Sequence, residues 1–240
     1  MSGCLRAAIV LIVAVMFGGS GAAENGPPLR IGHYSTGSGL TGFVLDRLGT
    51  PIKLRFDGSD EILALTTEPA PYASMTLKRD DGAGVLRIYE TGRVLLFTDK
   101  LKDVSAQAHR DQDATPLIVK RATKAQAQAD AAALGRKLKR SGAATLAITL
   151  EAPRLGEKSD GWAAMADAIA VLGIALDDML TSPIARETFA AKLQRVVIRD
   201  ADRVDIKLTA RTLVVEIVAK EPIVGRPSSA RLKSAIGDLL

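Results

Sequence analysis

His33 and His109 are the two histidines of this 240-residue chain, and Cys4 is its one cysteine. A zinc site needs several such ligands converging, usually at a short spacing such as H-x-x-x-H, which lets one helix present two of them together. Here the histidines stand 76 residues apart. A single cysteine can form neither an internal disulfide nor a cysteine-built zinc or iron–sulfur site. A serine nucleophile would need the G-x-S-x-G elbow, which is absent. Tyr34 and Ser35 come directly after His33, but adjacent residues on a strand point to opposite faces. Asp57, Asp60 and Glu61, with Gly58 and Ser59, could bind a cation through oxygen or do acid–base work, although the calcium-loop pattern is missing. The same composition is what a turn needs for its own backbone hydrogen bonds, and Asp80-Asp81-Gly82 reads alike. Gly37-Ser38-Gly39-Leu40-Thr41-Gly42 matches G-x-G-x-x-G, but a dinucleotide site needs a helix to open there. The next residues, Phe43-Val44-Leu45-Asp46, are strand-prone, so the glycines are expected to form a loop. No catalytic, cofactor-binding or metal-binding residue is assigned.

The elements that carry these residues begin after a segment that does not belong to the fold. Met1–Arg6 carries one positive charge, Ala7–Phe17 is an unbroken apolar run of 11 residues, and Gly18–Ala23 is small throughout. That is the pattern of a secretory signal peptide, with cleavage expected between Ala23 and Glu24 and a periplasmic or secreted product. As a helix, the run rises about 16 Å, short of a roughly 30 Å hydrocarbon core. Cys4 precedes the run, where a lipoprotein cysteine would stand after it. Cleavage leaves 217 residues with no cysteine, 31 Lys and Arg, and 27 Asp and Glu. A net charge of +4 spread through such a chain predicts no nucleic-acid partner, since that needs basic residues gathered on one face. No later apolar stretch reaches the length of a membrane span.

Residues 24–98 read as a β-rich domain. Short runs recur about every ten residues: Leu29–Tyr34, Gly42–Arg47, Ile52–Phe56, Glu61–Thr66, Ser74–Arg79, Val85–Glu90 and Val94–Thr98. Ile52, Leu54 and Phe56 alternate with Lys53 and Arg55, giving a strand with one buried face. Thr91-Gly92 marks a hairpin. Seven such strands predict an antiparallel sandwich or small barrel. Residues 99–115 are polar without period and read as a linker, and Pro116–Val119 as a short strand opening an α+β domain, 116–240. Lys124–Arg140 is an alanine-rich helix whose final cations complement its negative end. Ala144–Leu150 reads as a strand. A helix capped by Ser159 or Asp160 carries Trp162, Met165, Ile169, Leu172, Leu176 and Met179 on one stripe, with Trp162 a core anchor and Asp177-Asp178 on the solvated face. Ser182-Pro183 opens a helix that buries Phe189 and Leu193. Arg195–Ile198, Val204–Leu208 and Thr212–Val218 read as strands, and Ser228–Leu239 as a final helix. The fold class is α+β.

Phe43–Arg47, Leu54–Glu61, Pro69–Pro71, Arg79–Gly82, Val85–Arg87 and Leu96–Thr98 together resemble an exported bacterial family of unknown function, chiefly over residues 28–98. The resemblance implies a cell-envelope setting and no particular activity. Without a catalytic motif, the expected role is a non-catalytic binding or interaction module for an envelope protein, polymer or small ligand. The alternatives are an envelope hydrolase using Asp57, Asp60 and Glu61, and a small-ligand or lipid carrier with an apolar cavity inside the barrel.

Overall fold

The computed structural model describes residues 31–37, 41–97, 105–141 and 146–239. The expected signal peptide, 1–23, and residues 38–40 of the glycine motif lie outside them. Eight antiparallel strands form the first half: β1 (Gly32–Thr36), β2 (Gly42–Asp46), β3 (Ile52–Phe56), β4 (Leu63–Ala70), β5 (Ser74–Lys78), β6 (Gly84–Tyr89), β7 (Val94–Leu96) and β8 (Ala106–Gln112). Each pairs with its neighbour in sequence, and β8 returns to β1 to close a barrel. Closure leaves no free edge.

The closing strand corrects the linker expected at 99–115. Its sequence alternates alanine with polar residues, and Ala108 is its one buried side chain. Apolar alternation is therefore nearly silent there, although β8 pairs on both sides. Pro116–Val119 is not a strand; Leu117 is buried, but its backbone bonds to the side chains of Asp46 and Lys53 rather than to a neighbouring strand. The fourth strand starts later than expected, at Leu63, and runs through Pro69 to Ala70, where Pro69 stands opposite Met75.

The barrel interior is filled. Phe43, Leu45, Leu54, Leu77, Leu86 and Leu96 have no exposed surface, and Leu65, Ile88, Val94 and Tyr34 pack among them. Tyr34 stacks on Phe43 with ring centroids 5.4 Å apart. An eight-stranded barrel is just wide enough for side chains to occupy its centre. A lipid-sized cavity would leave exposed surface on those residues.

The second half runs α1 (Lys124–Arg140), β9 (Ala147–Glu151), α2 (Gly161–Met179), α3 (Pro183–Lys192), β10 (Arg195–Asp200), β11 (Asp205–Thr209), β12 (Thr212–Ile217) and α4 (Ser229–Leu239). The sheet order is β11-β12-β10-β9, with β9, β10 and β12 parallel and β11 antiparallel. Helix starts follow cap chemistry. Thr123 accepts from Gln126 N and Ser182 from Ala185 N, with Pro183 in the first turn. Before α2 it is Ser159, rather than Asp160, whose hydroxyl accepts a backbone bond, from Gly161 N. The stripe on α2 widens in the structure to include Ala164, Ala168, Val171 and Ala175, because α2 packs on α1, α4 and the sheet at once. Trp162 is buried in that core and donates its ring N–H to Gly156 O at 2.9 Å. The opposite sheet face carries an ion-paired row, Glu151–Arg199–Glu216–Lys207, that crosses all four strands.

Candidate functional site

The fold sends the three carboxylates of the Asp57–Glu61 segment to three different places. Gly58, at φ +74°, turns the chain, and Ser59 N donates to Phe56 O. Asp57 accepts from His33 Nε2 at 2.9 Å, and Asp111 of β8 lies 3.2 Å from His33 Nδ1. His33 thus joins β1 to β8 across the barrel seam and also to the end of β3. The Asp57 hydrogen bond is the largest influence on the imidazole; with help from Asp111 it outweighs burial and raises the pKa above the usual histidine value. Gly42 makes room for the cluster, since a Cβ there would run into the Asp57 carboxylate and stand 3.0 Å from His33 Nε2. Both imidazole nitrogens are engaged by carboxylates, which leaves neither to activate Ser35. His109, on β8, is exposed. Among the described residues, no group of three or more His, Cys, Asp or Glu is arranged to hold a metal ion.

Asp60 points outward, 3.7 Å from Lys120. Glu61 is buried and belongs to the junction between the halves. Its carboxylate accepts from Ser229 N at 2.8 Å and from the Ser229 hydroxyl, while Asp80 accepts from Ser228 N at 2.8 Å. The barrel therefore supplies two carboxylates to the N-terminal end of α4, where free N–H groups and the helix dipole favour negative charge. Arg226, 4% exposed, pairs with Asp167 of α2 and donates to Ile62 O at 3.0 Å. Its guanidinium also stands 3.9 Å from Glu61. These partners come from the barrel, from α2 and from the turn before α4, a constellation with no local sequence signature.

A second buried carboxylate shapes the adjoining surface. Asp46, with no exposed surface, accepts from Leu48 N at 2.9 Å and Leu117 N at 2.8 Å, and Lys53 lies 3.5 Å away. It pins residues 114–119 against the outer face of the barrel, where Val44, Ile62, Leu117 and Ile223 form a small core of their own. Ile223 is held at φ +79°, a conformation that β-branched residues rarely adopt. Beside this core opens a groove of about 440 Å³, walled by Pro51, Leu117, Val119, Ala163, Pro222 and Ile223. Lys53, Arg121 and Asp160 are its charged groups. Arg121 is exposed and has no hydrogen-bond or ion-pair partner among the described residues. Of five exposed large apolar side chains among the described residues, Ile118 lines the groove, while Leu48 and Val224 lie close in sequence to its wall residues Thr50 and Ile223.

A second cleft, about 480 Å³, lies at the carboxyl ends of β9 and β10. Its charged groups are paired, Arg199 with Glu151 at 2.9 Å, Asp200 with Arg154 at 2.9 Å and Lys124 with Glu157 at 3.8 Å. Asp177 and Asp178, expected on a solvated face, are exposed and pair with Lys137 of α1 and Lys233 of α4.

The molecule is an eight-stranded antiparallel barrel latched through buried polar groups to a helix-and-sheet half, with an apolar groove open at their junction. The chain belongs to a protein family described as a domain of unknown function (DUF4908), which matches residues 13–236. That span takes in both halves, the closing strand β8 included, beyond the stretch 28–98 that carries the resemblance in sequence. No curated protein and no solved structure matches the chain. Among the described residues, no helix is long and apolar enough to cross a membrane.

Proposed function

We propose that this protein is an exported, non-catalytic binding module that takes its partner in the groove between barrel and α+β half. The observation that carries this reading is an apolar groove with the exposed Ile118 in its wall, and with the exposed Leu48 and Val224 flanking wall residues in sequence. Clustered exposed apolar groups mark interaction sites more often than scattered ones do. The volume suits a small ligand or a few partner side chains. Arg121, which lines the groove and has no ion-pair partner among the described residues, favours an occupant with an apolar body and one acidic group. Export rests on the n-region, apolar run and small residues of 1–23.

The hydrolase alternative loses its catalytic grouping, because Asp57, Asp60 and Glu61 face separate partners. The barrel carrier loses its cavity to the packed interior. The test is a fluorescence titration with 8-anilinonaphthalene-1-sulfonate, which has an apolar body and one anionic group. Binding is expected to weaken about tenfold in Ile118→Asp and by a smaller factor in Arg121→Gln. Equal affinity in wild type and both variants would remove the groove from the account. Turnover of an envelope polymer by the purified protein would remove the non-catalytic reading.

A further inference from the structure

The chain carries a formal net charge of only +5, yet one end of the α+β half gathers cations. Arg136, Lys137, Lys139 and Arg140 close α1, Arg186 and Lys192 lie on α3, Arg195 opens β10, and Arg211 precedes β12. Hydrogen bonds tie these elements to one surface at the starts of the parallel strands. Arg186 donates to Ser141 O at 3.3 Å, Arg211 to Ala191 O at 2.7 Å, and Gln194 N to Arg211 O at 2.9 Å.

Little of this charge is cancelled. Asp130 on α1 accepts from Gln126 and Glu187 lies on α3, while Asp177 of α2 pairs with Lys137 and Glu151 of β9 stands 3.8 Å from Arg195. Arg186 and Arg211 are held by carbonyl oxygens, which orient a guanidinium without neutralising it. Arg136, Lys139, Arg140 and Lys192 are exposed, with no carboxylate partner among the described residues. In the first turn of α3, two residues before the Arg186 that bonds to Ser141 at the end of α1, Ile184 is 77% exposed. The aromatic residue of α3, Phe189, is buried, so α3 offers no platform for stacking bases.

We propose that this end of the α+β half docks on an anionic lipid surface, with the cations at headgroup phosphates and Ile184 in the interfacial layer. Basic residues next to an exposed apolar side chain fit that partner, since electrostatic attraction and shallow insertion add. Ile184 distinguishes a lipid surface from a soluble polyanion, which would make no use of it. The lipid surface and the groove are independent of one another.

The test is sedimentation of the full chain with vesicles of phosphatidylcholine alone and of equimolar phosphatidylglycerol and phosphatidylcholine. Attachment through the apolar run 7–17 is common to all variants, and the phosphatidylcholine vesicles read it off. The phosphatidylglycerol-dependent binding is expected to fall about fivefold for each cation removed. It should thus drop on the order of a hundredfold or more when Arg136, Lys139, Arg140 and Lys192 are all changed to Gln. Ile184→Ser should cost about tenfold, and high salt should weaken the same component. These positions are exposed, and native circular dichroism in each variant verifies folding. No gain on phosphatidylglycerol vesicles overturns the proposal. So does a gain indifferent to Ile184→Ser and matched by heparin, which would assign the surface to a soluble polyanion.

Discussion

His33 between Asp57 and Asp111, and Arg226 between Asp167 and Glu61, are versions of one arrangement: a basic side chain flanked by two carboxylates. Their surroundings differ. The His33 side chain is 21% exposed, with partner side chains at 55% and 40%, whereas the Arg226 side chain is 2% exposed, with partner side chains at 13% and 8%. Water can replace the His33 contacts one at a time. It cannot reach Arg226, so removing one partner there strands a buried charge. The exposed cluster should adjust the stability of one barrel seam with pH, and the buried one should decide whether the halves hold together. The groove, whose walls come from both halves, depends on the second.

The largest effect expected is from Arg226→Ala. It leaves Glu61 and Asp167 buried without their cation, and breaking a buried pair in this way costs about 3–5 kcal/mol. Denaturant unfolding measures the loss, and a cost below about 1 kcal/mol would make the two clusters equivalent. Next is Asp46→Ala, which leaves Leu117 N without its acceptor beneath the groove. About 2–3 kcal/mol is expected from the stranded donors. The variant should also loosen residues 114–119, read as faster amide exchange at Leu117.

The His33 cluster should show itself through pH. Because its folded pKa is raised, its contribution is fully present below the unfolded value, about 6.5, and is lost as pH rises through the folded value. The unfolding midpoint should therefore fall as pH rises from the unfolded value through the raised folded value. His33→Asn should flatten that slope, and Gly42→Ala, which crowds Asp57 and His33, should do the same at a cost of about 1 kcal/mol. An unchanged slope in His33→Asn would assign it to another group. The smallest effect is expected from Asp60→Asn. Its pairing with Lys120 is fully in solvent, and the stability change should lie within about 0.5 kcal/mol.

Much of the architecture was legible in periodicity. The helical stripes from Lys124 and from Trp162 stand where expected, as does the alternation in Ile52–Phe56. The strand Ala106–Gln112 was not, because alanine at its inward position gives almost no apolar signal. With it went Asp111, the second partner of His33. Leu117-Ile118-Val119 reads as a strand by composition, yet it serves as a groove wall, held by the buried Asp46 at Leu117 N and by Lys53 at Leu117 O. Arg226 is an isolated arginine before a proline. Its partners at Ile62 and Asp167 are far off in sequence, and no local pattern announces such a contact.

The halves carry separate native reporters. Trp162, the one tryptophan, lies in the α+β core, while the three tyrosines, Tyr34, Tyr72 and Tyr89, all belong to the barrel half. Urea unfolding followed by tryptophan fluorescence and by tyrosine near-ultraviolet circular dichroism therefore tests most directly whether the latch makes one unit of the two. Coincident transitions are expected in the wild type and separate ones in Arg226→Ala. Two separate midpoints in the wild-type protein would contradict a single unit.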